Sequence, residues 1–321
     1  MNKLSLVIPV YNGAKYLPRF FAMCDAVFPE TVQKIFVNDG SKDSSQTLLQ
    51  DYVETHNNAL VLSQSNSGPG IARNIGFKAV NAEYTWFVDC DDFIEPNAYS
   101  FFIAVCKYLK DSADVILIND ECSENISADG SNFPSTPAVF VTKTEALLFS
   151  QVAPWTRIYK TDFLKKNNFA FPALYYAEDL AETTRLIINA QNIYKTSVSL
   201  YQYQNNPQSI SRTKLDKYHT DFIIALKLLK KTAAYQSEFK NEIYYLIHTH
   251  LQFVLSHLIE INADKNITNK LKDFHTKLEL HSNTYYRLEK KIAEYYINTK
   301  SWKLTAFLRK ISSWIRVCKI K

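Results

Sequence analysis

The stretch Lys34-Ile35-Phe36-Val37-Asn38-Asp39-Gly40-Ser41 poses the first choice about the fold. Its apolar start reads as a strand, and an Asp-Gly pair behind a strand ordinarily signals a tight antiparallel hairpin. The residues beyond Ser41 decide against the hairpin. Ser44 to His56 carries a helical pattern, so Asp39-Gly40 is a strand-to-helix loop. Asn12-Gly13 repeats the arrangement, between the apolar run Leu4 to Val10 and the helical pattern Ala14 to Val27.

Outward from these two units, strand-like runs recur at Ala59 to Leu62, Thr85 to Val88 and Asp114 to Ile118, with helix-like stretches at Ile71 to Val80 and Asn97 to Leu109. Alternation of this kind predicts an α/β fold, a mainly parallel sheet flanked by helices. In such sheets ligands sit beyond the carboxyl ends of the strands. Val10-Tyr11-Asn12, Asn38-Asp39-Gly40-Ser41 and Asp89-Cys90-Asp91-Asp92 then gather on one edge. The last of these puts three carboxylates within four positions directly behind Trp86-Phe87-Val88, and charge at the end of an apolar strand calls for water or a counter-ion.

With 321 residues, 46% of them hydrophobic and 14% aromatic, the chain can bury a large core. The five cysteines (Cys24, Cys90, Cys106, Cys122, Cys318) form no CxxC, which predicts a reducing compartment and no structural zinc. No run approaches the ~20 apolar residues of a spanning helix and no signal-peptide core is present, so a cytoplasmic protein is expected. The net charge of +5 is uneven: Lys300, Lys303, Arg309, Lys310, Arg316, Lys319 and Lys321 stand together without an acid.

In chain order, "SLVIPVYNG", "VNDGSKDSS", "NSGPGIARNIGFKAV", "FVDCDDF" and "AEDLAETTRLI" resemble family 2 of the glycosyltransferases, inverting enzymes with a GT-A fold. The resemblance covers about residues 3 to 211 and implies transfer of a sugar from a nucleotide-diphosphate donor to an acceptor hydroxyl. It makes Asp91 the ligand of Mg2+ or Mn2+ and puts Asp89 near the donor. A divalent ion on hard oxygen ligands stabilises the charge that develops on a diphosphate leaving group. The competing reading of the acidic triplet is a solvated turn that starts the next helix.

By the same resemblance Pro9, Tyr11 and Asn12 form the base-binding edge, and Asp39 accepts hydrogen bonds from the base, which favours a UDP-sugar. As an ordinary Asp it would cap a turn, as would Asp43. "GPGIARNIG" fails as a dinucleotide fingerprint because its third glycine position is Arg73. Arg73 resembles the family arginine that supports the donor site, or else pairs with a neighbouring carboxylate for structure.

Glu178-Asp179 matches the family ED motif, with Asp179 the general base and Glu178 an orienting or acceptor-side group. Asp179-Leu180-Ala181-Glu182 also reads as a capping box. Trp155, Arg157 and Tyr159 resemble the acceptor-side segment. The later segment "YQYQNNPQSIS" has Gln202 and Gln204 where relatives often carry a cation for the diphosphate, with Arg212 as a substitute. His248, His250 and His257 lack a matching carboxylate pattern and read as core or surface residues.

The expected organisation is a GT-A domain over 1–212, its donor half about 1–120 and its acceptor half about 121–212, with a helical C-terminal extension over 213–321. The amphipathic tail 299–321 is expected to touch the inner face of a membrane or to pack on the protein's own helices. The resemblance further implies a glycan or lipid-linked acceptor in bacterial surface-polysaccharide synthesis, with no nucleic-acid partner. An inactive sugar-nucleotide or glycan-binding module and a sugar nucleotidyltransferase are the alternatives.

Overall fold

Each apolar run of the first third forms a strand: β1 (Leu4–Val10), β2 (Gln33–Asn38), β3 (Ala59–Ser63), β4 (Tyr84–Phe87) and, after a short β5 (Phe93–Ile94), β6 (Val115–Leu117). The helices between them are α1 (Leu17–Val27), α2 (Ser45–Thr55), α3 (Pro69–Lys78) and α4 (Ala98–Leu109). The second part adds β7 (Ala138–Phe140), α5 (Lys143–Phe149), a 3-10 turn (Pro154–Thr156), β8 (Arg157–Lys160), α6 (Thr161–Lys166), α7 (Glu178–Asn189), β9 (Ile193–Thr196) and β10 (Tyr201–Gln202). Two longer helices follow, α8 (Leu215–Lys231) and α9 (Lys240–Glu260). This computed structural model describes residues 2–118, 133–204, 215–232, 238–260, 269, 271 and 272.

Eight strands form one sheet in the order β3-β2-β1-β4-β8-β6-β9-β7. The first four are parallel, as the strand-to-helix loops require. β8 runs antiparallel to both β4 and β6, and β9 is again parallel to β6. The start of β8, where the acceptor-side segment lies, therefore falls on the same edge as the carboxyl ends of β1, β2 and β4. Past the end of β9 the chain reaches that edge too, where β10 pairs antiparallel with β5.

Period-2 alternation divides the core. Leu4, Leu6, Ile8, Phe36, Trp86 and Ile158 pack on one face, with Phe20, Phe101 and Phe102 from α1 and α4. Val7, Ile35, Val37, Phe87, Val115 and Tyr159 pack on the other, with Ala72, Leu186 and Ile187 from α3 and α7. Both faces are covered, so the strands read as continuous apolar runs, and each large aliphatic or aromatic side chain contributes about 1.5–3 kcal/mol by leaving water. A third cluster joins Leu180 and Ala181 of α7 to Phe222, Leu226 and Leu229 of α8 and Ile243, Ile247 and Leu251 of α9.

One close approach sets the position of α3. A Cβ on Gly76 would lie 2.5 Å from Val7 Cγ1 and 3.0 Å from Val37 Cγ2, so only glycine lets the helix settle this close to β1 and β2. Arg73, nearly one turn earlier, is thereby brought down to the end of the sheet.

α1 starts at Leu17 rather than Ala14. The reason lies in the loop, where the N–H groups of Asn12, Gly13 and Ala14 are bound by Ser41, Ser45 and Asp43 of the next loop. The chain is released into a helix only near Pro18. Residues 205–214, which include the expected boundary and Arg212, lie outside the described residues, as do Cys122, Cys318, the side chain of His257 and the tail 299–321. No described helix is long and apolar enough to cross a membrane.

Candidate active site

The loops after β1 and β2 are laced together. Asn12, at φ 50°, donates its N–H to Ser41 Oγ (3.0 Å) and accepts from the Lys42 N–H (2.8 Å). Gly13 donates to Ser45 Oγ (2.9 Å) and Ala14 to Asp43 Oδ2 (3.0 Å). Desolvation pushes the Asp43 carboxyl up, but bonds from Ser45 and Ala14 outweigh it and hold the group below its usual range. Asn12 thus shapes the loop, while Tyr11 beside it keeps 47% of its surface open and Pro9 is half-buried.

Asp39 is buried at the end of β2. Its carboxylate accepts from Gln64 Nε2 (2.6 Å), the Ser67 N–H (2.8 Å) and the Gly68 N–H (2.9 Å). These bonds fix the turn that leads into α3, and of about four acceptor positions on a carboxylate they leave one for a ligand.

The acidic triplet divides into three roles. Asp89 Oδ1 accepts from Arg73 Nη2 (2.7 Å), and its N–H reaches the Tyr201 hydroxyl (3.1 Å). Asp92 is buried; Oδ2 accepts from Tyr201 Oη (2.6 Å) and Oδ1 from the Gln204 N–H (2.7 Å). Burial, then the neighbouring Asp89 charge, pushes the Asp92 carboxyl up to about 7. Asp91 stands half-buried at the turn's tip, its carbonyl accepting from Arg19 Nη2 (2.6 Å).

No cluster of three or more His, Cys, Asp or Glu residues with metal-binding geometry occurs among the described residues. The donor set fits a hard cation shared with a ligand. Asp92 is held by Tyr201 and Gln204 and one Asp89 oxygen by Arg73, while carboxylates of the kind that Asp91 and Asp89 carry are what such an ion takes, one or two at a time, beside phosphate oxygens.

Arg73 joins the donor side to the ED motif. Its buried guanidinium donates to Asp89 Oδ1 and, through Nη1, to Glu178 Oε1, both at 2.7 Å. α3 and α7 meet head to head here, because a Cβ on Gly70 would lie 2.9 Å from Glu178 Cγ. Asn74 ties the loop before α7, accepting from the Phe171 N–H and donating to the Phe171 carbonyl, both at 2.8 Å.

The capping-box reading of Asp179 does not hold. α7 starts at Glu178, and its cap is Ala177 at φ 59°, with no side-chain cap bond. Glu182 is used elsewhere, accepting from the Ala170 N–H and from Arg185. Asp179 sits in the first turn with its carboxyl pushed up to about 7 by burial and by the Glu178 charge, Arg73 opposing. Glu178 is also raised, mainly by burial. A carboxylate near 7 is poised to take a proton at neutral pH.

On the other side of the edge Trp155 is a buried ring between two others, parallel to Tyr201 at 4.7 Å and to Tyr203 at 5.9 Å. Both its faces are covered. Tyr203, 46% exposed, presents the open ring of the stack. Arg157 is buried as well and braces its own turn, donating to the Ala153 carbonyl (3.1 Å), Thr156 Oγ1 (2.7 Å) and Ser150 Oγ (2.9 Å). Tyr159 points into the core.

Tyr203 and the anchor Tyr201 carry no signal in the sequence, where their segment shows only a missing cation. Gln202 binds Glu95 (2.6 Å), and Gln204 contributes its backbone. His250 is half-buried with Nδ1 2.8 Å from the Leu246 carbonyl, and desolvation lowers its pKa.

The chain is similar to known proteins in sequence and in fold. A family model described as Glycosyl transferase family 2 matches residues 5–135. An uncharacterized glycosyltransferase of Escherichia coli, YibD, is 30% identical over 72% of this chain and 71% of its own. The poly(ribitol-phosphate) β-N-acetylglucosaminyltransferase TarS of Staphylococcus aureus is 29% identical over 71% of this chain, which spans only 40% of TarS.

Among solved structures, TarS 1–349 with UDP-GlcNAc superposes with a TM-score of 0.56 at 21% identity, covering 91% of this chain and 92% of that one. A mannosyltransferase from Pyrobaculum calidifontis with GDP-Man and Mn2+ gives 0.50 at 14% identity, over 94% and 87%. These likenesses identify the fold as GT-A. With the YibD relationship, the family match and the motifs on one sheet edge, the chain belongs to glycosyl transferase family 2.

Proposed function

We propose that this glycosyltransferase is metal-dependent and inverting, taking its sugar from a UDP-sugar and passing it to a hydroxyl of a glycan or lipid-linked acceptor in bacterial surface-polysaccharide synthesis. The observation that carries the reading is the single guanidinium of Arg73 held between Asp89 and Glu178. It puts the donor-side carboxylates and the base-bearing helix on one rigid support. The UDP-GlcNAc in the TarS structure supports the donor class, and the Mn2+ beside GDP-Man in the Pyrobaculum enzyme supports the metal.

Tyr11, Pro9, Asn12 and Asp39 receive the uracil and its ribose, with the open Tyr11 ring as the stacking surface. Asp91, assisted by Asp89, would hold Mg2+ or Mn2+, which when bound neutralises the diphosphate as it leaves. Asp179 takes the proton of the acceptor hydroxyl. The acceptor oxygen forms its bond to the anomeric carbon as the bond to the diphosphate oxygen breaks, and the nucleoside diphosphate leaves with that electron pair. One displacement inverts the configuration, with no enzyme nucleophile. Glu178 orients the site through Arg73, while Tyr203, Trp155 and Arg157 form the acceptor side.

Peripheral contact of 299–321 with the inner face of a membrane belongs to the same proposal, resting on the tail's basic, tryptophan-containing composition. The test is a screen of UDP-sugars by thermal shift with and without Mn2+, then product analysis with the sugar that binds. Metal-dependent stabilisation by one UDP-sugar and a product of inverted configuration are expected. A retained configuration would overturn the mechanism.

A further inference from the structure

We propose that Arg19 is a positioning residue for the metal-bearing turn, holding the backbone of Asp91 so that its carboxylate keeps one direction. The inference rests on the reading of Asp91 as metal ligand and adds to it a residue from α1, which no motif marks.

Three observations carry it. Arg19 Nη2 donates to the Asp91 carbonyl at 2.6 Å and lies 3.4 Å from the Asp92 carbonyl. The guanidinium lies over the Phe93 ring, 3.8 Å from its centre, so its plane is fixed from a second side. Arg19 forms no ion pair with a described residue, although three carboxylates lie in the turn it binds. A cation that bound Asp91 through its carboxylate would compete with a metal. One that binds peptide oxygens fixes the peptide plane without itself occupying a carboxylate oxygen.

The rest of the turn shows why a hold at this point matters. Asp89 is fixed by Arg73 and Tyr201, and Asp92 by Tyr201 and Gln204. Buried Cys90 packs against Gly13, where a Cβ would meet its sulfur at 3.2 Å. Arg19 adds a hold on the backbone of Asp91. Groups that orient a metal ligand are worth about 10–100-fold in metal affinity.

The experiment measures UDP binding to the full chain by calorimetry across a Mn2+ titration, with melting temperatures recorded without ligand. Arg19→Ala is expected to raise the Mn2+ concentration for half-maximal UDP binding about tenfold while metal-free UDP binding stays as in wild type. Arg19→Lys, which keeps the charge but neither the plane nor the reach to both carbonyls, is expected between the two. Should Arg19→Ala fail to fold, Arg19→Gln carries the same two outcomes. Asp91→Ala is the control for the underlying reading. If it retains Mn2+-dependent UDP binding, the metal assignment itself falls. If it loses that dependence while Arg19→Ala or Arg19→Gln keeps the wild-type Mn2+ midpoint, the Arg19 proposal alone is overturned.

Discussion

Arg73 and Glu178, 105 residues apart in the chain, meet at 2.7 Å inside the protein, and the same guanidinium reaches Asp89. A cation buried between two carboxylates is held charged, its pKa raised above the ordinary value by both anions against the cost of burial. Removing it strands two anions. Arg73→Ala should therefore destabilise the protein by about 3–5 kcal/mol in urea unfolding, whereas Glu178→Gln, which keeps one hydrogen bond, should cost less.

Asp179→Asn should reduce turnover at least a hundredfold with UDP affinity unchanged, since it removes a base and not a donor contact. In wild type the base must be deprotonated. With its carboxyl raised to about 7, kcat should climb from pH 6 to pH 8, and a profile flat over that interval would remove Asp179 from the role.

The same group makes a stability prediction of definite sign. A carboxyl whose folded pKa lies above its unfolded value binds more protons when folded, so its contribution is present below about pH 4 and is lost as the pH rises toward 7. Asp179→Asn removes that loss. Its stability relative to wild type should rise between pH 5 and pH 8, as measured by urea midpoints at the two values.

Gly76→Ala places a methyl group 2.5 Å from Val7 Cγ1. Overpacking of this kind costs about 1–3 kcal/mol, visible as a lower melting temperature. Because the helix must lift away from the sheet, Arg73 moves with it and turnover should fall further than unfolding alone explains.

Tyr203→Ala should raise the acceptor KM several-fold, in line with about 0.5–1.5 kcal/mol for an aromatic contact, and leave Mn2+-dependent UDP binding intact. Trp155→Ala should instead destabilise the fold, since that ring is buried between its neighbours.

The first strands and their loops were legible because their signals are local. A strand that ends in Asn-Gly or Asp-Gly and gives way to a helix can be read from a dozen residues, and β1 and β2 run as expected. Bonds across long separations were not legible. Nothing near Asp92 announces Tyr201 or Gln204, more than a hundred positions on, so its structural role could not be read from the triplet. Capping at Asp179 is a fair local inference overruled by tertiary partners: Ala170 and Arg185 claim Glu182, and the left-handed Ala177 replaces a side-chain cap. Arg19 looks like an ordinary helix-surface cation for the same reason.

The helices after residue 214 back Asp179, the proposed base. Leu180 and Ala181, immediately behind Asp179, are sealed by Phe222, Leu226 and Ile243, and Asp221 accepts the Tyr175 N–H of the loop leading into α7 at 2.8 Å. The recognisable motifs end near residue 211, yet the scaffold that aims the last of them continues well beyond. Half-reactions should come apart accordingly: a chain cut after residue 212 keeps every donor loop, but its base sits on a helix stripped of its apolar cover. Such a fragment would hold the nucleotide and fail to deliver the sugar.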